Sequence, residues 1–167
     1  MSRVILIGPP GSGKSTVGKA LAKALEIKFI DSDRVVESTV GKKISDIFID
    51  QGEVAFRDFE FNALTQSLEH SSSVLSLGGG APISTRAQDV LAASGIPIVF
   101  LDVSLAVAAP RVGFNRDRPL LLGNPRAQWQ SLYEVRRPIY EKLATITIKV
   151  DSMKVAQIVR RITEALL

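Results

Sequence analysis

Residues 8–15 read Gly8-Pro9-Pro10-Gly11-Ser12-Gly13-Lys14-Ser15, which places glycines, a lysine and a hydroxyl at the spacing G-x-x-x-x-G-K-[ST]. The chemistry such a stretch supports is the holding of nucleotide phosphates. Glycines let the backbone wrap an anion and turn its N–H groups inward. A helix starting at the lysine adds positive potential at the same point. Gly11, Ser12 and Gly13 would supply backbone donors, with Ser15 and Thr16 at the helix start. Lys14 would reach the β- and γ-phosphates, and the Ser15 hydroxyl would be a ligand for the Mg²⁺ that accompanies ATP. A plain glycine turn would need neither the lysine nor the serine at these places.

Four further groups could act on a second substrate. Asp31-Ser32-Asp33 places two carboxylates one residue apart. One can hold Mg²⁺ through water, and the other can bind and orient an attacking hydroxyl. Equally, Asp33 can cap a helix starting near Val35. Phe56-Arg57-Asp58-Phe59-Glu60 sets Arg57 and Glu60 three apart, an arrangement that by itself reads as a surface ion pair. Gly78-Gly79-Gly80 lets a ligand approach the backbone closely. Arg118 and Arg136 follow, and an arginine on a closing segment can neutralise a transferring phosphoryl group. Arg136 and Arg137 also fit a solvated helix face with stems packed on Trp129 or Tyr133.

These groups need elements to position them. Short apolar runs at 4–7, 28–30, 74–77, 98–103 and 146–150 alternate with helical patterns at 54–68, 86–93, 105–112 and 127–142 and a last helix with one apolar face from Val155 to Leu166. Strands that are apolar throughout and separated by helices predict an α/β fold: a three-layer, doubly wound, five-stranded parallel sheet. Ligands of such sheets sit at the carboxyl ends of the strands, which selects the segments 8–15, 31–33 and 78–80. The strand at 74–77 does not end in the aspartate that many phosphate-loop enzymes use for Mg²⁺, leaving Ser15 and Asp31 on the metal side. A segment at 113–125, rich in Gly, Asn, Arg and Pro, reads as a mobile loop.

The 167 residues suit one domain with a core of its own, and no repeat or linker divides them. Without cysteine, disulfides, thiol catalysis and cysteine-bound zinc are excluded. The single histidine, His70, sits in a helix-ending loop and reads as solvated. The net charge of +4 comes from scattered basic pairs, not a stripe, so the excess suits small anionic ligands better than nucleic acid. No run is long and apolar enough for a membrane span, and no signal peptide is evident, so the expected setting is the cytoplasm, with no membrane or nucleic-acid partner.

Taken in order, the phosphate loop, D-x-D, F-R-x-x-E, S-x-G-G-G, R-P-L-L around Arg118 and R-x-P-x-Y around Arg136 resemble shikimate kinase, in the nucleoside-monophosphate-kinase-like branch of P-loop proteins. The resemblance runs over essentially the whole chain. It implies a single kinase domain with a lid at about 113–125, an acceptor-binding helical region at about 33–62, ATP and shikimate as substrates, Mg²⁺ as cofactor, and a monomer. Arg57 and Arg136 would clamp the shikimate carboxylate. Asp33 would bind ring hydroxyls and orient the 3-hydroxyl, and Gly78, Gly79 and Gly80 would line the substrate. Arg118 would close with the lid onto both substrates, Arg111 would lie against adenine, and Asp31 would support Mg²⁺ through water. Two residues depart from the family's pattern. Pro82 stands where a larger aliphatic residue is usual, and Pro110, before Arg111, should break its helix or start a turn. The competing readings are a kinase of another polyol acid such as gluconate, and a nucleotide-binding regulator without turnover. The regulator would be expected to lack Lys14, Asp33 or the lid arginine.

Overall fold

A computed structural model describes residues 4–70, 72–112 and 124–167. Strands β1 (Val4–Ile7), β2 (Lys28–Asp31), β3 (Ser73–Ser76), β4 (Ile98–Asp102) and β5 (Ile146–Lys149) form one sheet in the order β2-β3-β1-β4-β5. All its pairings are parallel, with Ile5 of β1 opposite Leu75 of β3 and Ile98 of β4. Helices α1 (Lys14–Leu25), α2 (Ser32–Val40), α3 (Ile44–Leu68), α4 (Thr85–Ala93), α5 (Leu105–Val112), α6 (Pro125–Leu143) and α7 (Val155–Leu166) connect and cover the strands. This is the doubly wound arrangement expected from the alternation of apolar runs and helical patterns.

β1, β3 and β4 are buried along their whole length, while the edge strands β2 and β5 are partly exposed. That gradient explains why the central runs are almost purely aliphatic. Phe100 and Tyr140 are fully buried against each other, ring centroids 5.2 Å apart, joining the sheet to α6. Emptying such a position to alanine typically costs about 3–5 kcal/mol. Chain order reverses across β1, whose neighbours are β3 and β4, and this opens a crevice at the strands' carboxyl ends.

The segment 33–62, expected to be helical, comprises α2 and most of α3. α3 extends further back than the expected 54–68, and Gly52 (φ 84°) breaks it into two pieces. The break folds the first piece against α2, and together they enclose a small core of their own: Val36, Ile47, Phe56 and Ala63, with Phe48 stacked on Phe56 at 4.6 Å. Pro110 neither ends nor starts a helix: α5 runs through it to Val112. The cost is the one N–H that would have reached the Ala106 carbonyl, and a single lost bond near a helix end is tolerated. The lid expected at 113–125 lies outside the described residues up to 123. Its last two positions are the start of α6, with Asn124 as N-cap accepting from the Ala127 N–H and Pro125 in the first turn.

Candidate active site

β1 delivers the chain into the phosphate loop, and α1 begins at Lys14, as the motif requires. Gly11 (φ 84°) turns the loop through a conformation that a side chain would strain. The Lys14 ammonium folds back over the loop, donating to the carbonyls of Gly8 (2.8 Å) and Pro9 (3.0 Å) and to Ser12 Oγ (3.4 Å). Ser15 Oγ donates to Asp31 Oδ2 at 3.3 Å, so a hydroxyl from α1 and a carboxylate from β2 meet at the loop's mouth. Among the described residues no three His, Cys, Asp or Glu side chains cluster tightly enough to hold a metal. A hydroxyl with one nearby carboxylate does suit Mg²⁺, which keeps waters and takes its remaining ligands from phosphates.

A cleft of about 510 Å³ opens here. Gly11, Ser12, Gly13, Lys14, Ser15 and Thr16 line one wall, with Asp31, Asp33, Gly78 and Gly79 opposite. Arg111 closes one end, its Nη1 donating to the Gly11 carbonyl at 3.1 Å. Val150, Met153, Val155 and Ile158, from the end of β5 and the start of α7, complete that end with apolar surface suited to a flat base. Sequence reasoning assigned no role to these four. Their signal was positional, since they too lie at the carboxyl end of a strand.

The helix cap offered for Asp33 belongs to Asp31 instead. Asp31 Oδ1 accepts from the Asp33 N–H at 3.0 Å, and α2 starts at Ser32. Asp33 therefore lies in the first turn, with its carboxylate on the cleft wall against Gly78.

The three glycines answer three side chains. A Cβ on Gly78 would stand 2.5 Å from Asp33 Oδ1, one on Gly79 would stand 3.4 Å from Arg136 Nη1, and one on Gly80 would collide with the Arg57 guanidinium. One short stretch after β3 thus gathers Asp33 from α2, Arg57 from α3 and Arg136 from α6. The Gly78 N–H is held by Ser32 Oγ at 3.0 Å and the Gly79 carbonyl by Tyr140 Oη at 2.5 Å, which fixes the stretch from two sides.

Arg57 and Glu60 are not the surface pair their spacing suggests alone. Glu60 is buried, and Arg57 Nη1 donates to it at 2.7 Å. Burial pushes the Glu60 carboxyl above its ordinary range, against the pull of Arg57 and Arg136. The same guanidinium that reaches toward Gly80 is therefore anchored from behind. Helical spacing could have found this role, because residues 56, 60, 63, 64 and 67 share the buried face of α3. Arg136 and Arg137 separate. Arg136 is buried beside Tyr140, whose hydroxyl burial pushes up to about 12 while Arg136 pulls it down. Arg137 is half-exposed, its guanidinium over the Tyr133 ring, as the solvated-face reading has it. Arg57, Gly80 and Arg136 stand just beyond the cleft's lining, next to Gly79. Arg118 lies outside the described residues.

A phosphate loop at the end of β1, a hydroxyl and carboxylate poised beside it, and a cluster of one carboxylate and two arginines facing the same crevice define a P-loop phosphotransferase acting on a small anionic acceptor. The family model for shikimate kinase matches residues 10–167. The chain belongs to the shikimate kinase family. A shikimate kinase of Rhodococcus erythropolis is 40% identical over 165 residues, covering 98% of this chain and 96% of that protein. A solved shikimate kinase from Acinetobacter baumannii in complex with shikimate superposes with a TM-score of 0.95 at 31% identity, covering 99% of this chain and 93% of that one. A gluconokinase from Sinorhizobium meliloti, 23% identical with a TM-score of 0.60, shares the fold alone.

Proposed function

We propose that this chain transfers the γ-phosphoryl of ATP to the 3-hydroxyl of shikimate, giving shikimate 3-phosphate and ADP on the route to chorismate and the aromatic amino acids. The observation that carries this reading is the convergence of Asp33, Arg57 and Arg136 on one glycine stretch beside the phosphate loop. Arginine's planar fork suits the two oxygens of a carboxylate, and two such forks suit an acidic acceptor. Asp33, on the side nearer the loop, meets the ring hydroxyls, turns the 3-hydroxyl toward the γ-phosphorus and accepts its proton as the new P–O bond forms. The bond from the γ-phosphorus to the bridging oxygen breaks, and ADP departs. Lys14 follows the charge that grows on the β–γ bridge, and Arg118, by the family resemblance a lid arginine, would neutralise the transferring group.

Ser15 directly, and Asp31 through water, would hold Mg²⁺, which would supply positive charge to offset that of the nucleotide phosphates. Gly79 and Gly80 would offer backbone N–H groups to the acceptor. Arg111 would flank adenine, opposite Met153 and Ile158. No helix among the described residues is long and apolar enough to cross a membrane. The basic residues are scattered along the chain and form no tract, which supports a site for small anions over a nucleic-acid face; a monomer in the cytoplasm, without membrane or nucleic-acid partners, completes the proposal.

The test is ADP release by the purified protein with ATP and Mg²⁺, alone, with shikimate, and with gluconate. Release stimulated by shikimate only is the expected result. Binding of ATP with no stimulation by either acid would leave a non-catalytic nucleotide-binding regulator.

A further inference from the structure

α6, which carries Arg136, also takes part in a second polar cluster that the reaction does not touch. Asp102, the last residue of β4, is almost fully buried. Its carboxylate accepts one bond from the Tyr133 hydroxyl and another from Arg137 Nη2 at 2.8 Å. Both partners belong to α6, one turn apart. Arg136 also belongs to α6, but leaves the helix about 100° away from Arg137. Asp102 therefore grips one margin of the helix's buried face, and Arg136 emerges at the other, beside Gly79.

The same helix makes two neutral contacts near its ends. The Trp129 indole N–H donates to the Pro10 carbonyl at 2.8 Å, and the Tyr140 hydroxyl to the Gly79 carbonyl. Between them the helix is internally weak. Pro138 lacks the N–H that would bond to the Glu134 carbonyl, so the turn carrying Arg136 is short of one restraint. Asp102 supplies an external restraint at that turn, through hydrogen bonds that are shorter and stronger for being charge-assisted. β4 is hydrogen-bonded to β1, which leads into the phosphate loop, so the restraint is referenced to the nucleotide side.

We propose that Asp102, with Tyr133 and Arg137, is a positioning group for the acceptor site: it sets the rotation of α6 about its own axis and so the placement of the Arg136 guanidinium relative to the phosphate loop. The inference rests on the reading that Arg136 binds the acceptor carboxylate. At a radius of about 6 Å, a turn of about 10° carries a side chain by about 1 Å. Misplacement on that scale can cost up to about 10²-fold.

The experiment compares Asp102→Asn, Arg137→Gln, Arg137→Lys, Arg136→Ala and the double variant Asp102→Asn/Arg136→Ala, with KM for shikimate and for ATP, kcat and melting temperature measured for each. Asp102→Asn and Arg137→Gln should raise KM for shikimate about fivefold and leave KM for ATP within about twofold, with Arg137→Lys restoring most of the loss. In the Arg136→Ala background, Asp102→Asn should add no further loss of acceptor affinity, an outcome that a purely structural role would not produce. If Asp102→Asn does not fold, Arg137→Gln, at a half-exposed position, carries the test. A lowered melting temperature with unchanged KM for shikimate, or an undiminished effect of Asp102→Asn without Arg136, overturns the inference. An unchanged KM for shikimate in Arg136→Ala alone overturns the clamp reading itself and takes this inference with it.

Discussion

The two halves of the cleft are built from different materials. On the nucleotide side the phosphate-holding groups are local: loop backbone, a helix start, and a lysine bonded to the loop's own carbonyls, with Asp31 on Ser15 and Arg111 on Gly11 as the long-range additions. On the acceptor side they are an aspartate and two arginines from α2, α3 and α6, more than a hundred residues apart at the extremes, held by a buried glutamate, a buried tyrosine and three absent Cβ atoms. A contiguous loop can hold phosphate wherever it is placed, whereas the acceptor cluster exists only when the whole chain has folded around it. Damage to the first half should fall on the chemistry of transfer. Damage to the second should fall mainly on acceptor affinity and be reachable from far away.

The largest effect should come from Lys14→Ala, which removes the charge at the transferring phosphates and should cut kcat by about 10³-fold or more, as read by ADP release. Asp33→Asn comes next. It keeps the shape of the cleft wall but cannot take the proton, so kcat should fall about 10²-fold while KM for ATP stays near its original value. Gly80→Ala sharpens the contrast, because it alters only the acceptor half. A methyl group there displaces Arg57, and KM for shikimate should rise about tenfold with KM for ATP unmoved. If KM for ATP rose in parallel, the two halves would not be separable.

The smallest effect concerns stability. Glu60 has its carboxyl raised by burial above the ordinary value of 4.5, so the folded chain holds this proton more tightly than the unfolded chain. The stabilisation this provides is complete below about pH 4.5 and is lost as pH rises through the folded-state value. Denaturation midpoints of the native chain should therefore drop relative to Glu60→Gln as pH is raised from 4 to 7. A constant difference across that range would mean that Arg57 and Arg136 fully offset the burial.

The same division explains what could be read without coordinates. The sheet and the phosphate loop were legible because their signals are short-range: apolar runs such as 4–7, and a motif whose parts touch each other. Asp31 and Asp33 were legible as a pair but not in their division of labour, because which one caps α2 depends on where the helix starts. Arg57 and Arg136 emerged through resemblance, since nothing within their own segments says that they face one another. Asp102 was missed as an anchor and Trp129 was read only as a packing surface: their hydrogen-bond partners lie 31 and 119 residues away, and spacing carries no signal at such separations. Of α3, the helical pattern found only the piece after Gly52, because that glycine leaves helical geometry and divides the element.

The indole that touches the Pro10 carbonyl belongs to the only tryptophan in the chain. Intrinsic emission excited at the red edge of protein absorbance thus arises from a single fluorophore, seated on the back of the phosphate loop. Its intensity should report occupancy of the nucleotide side directly, without a label, in the native chain and in every acceptor-side variant that leaves α6 in place.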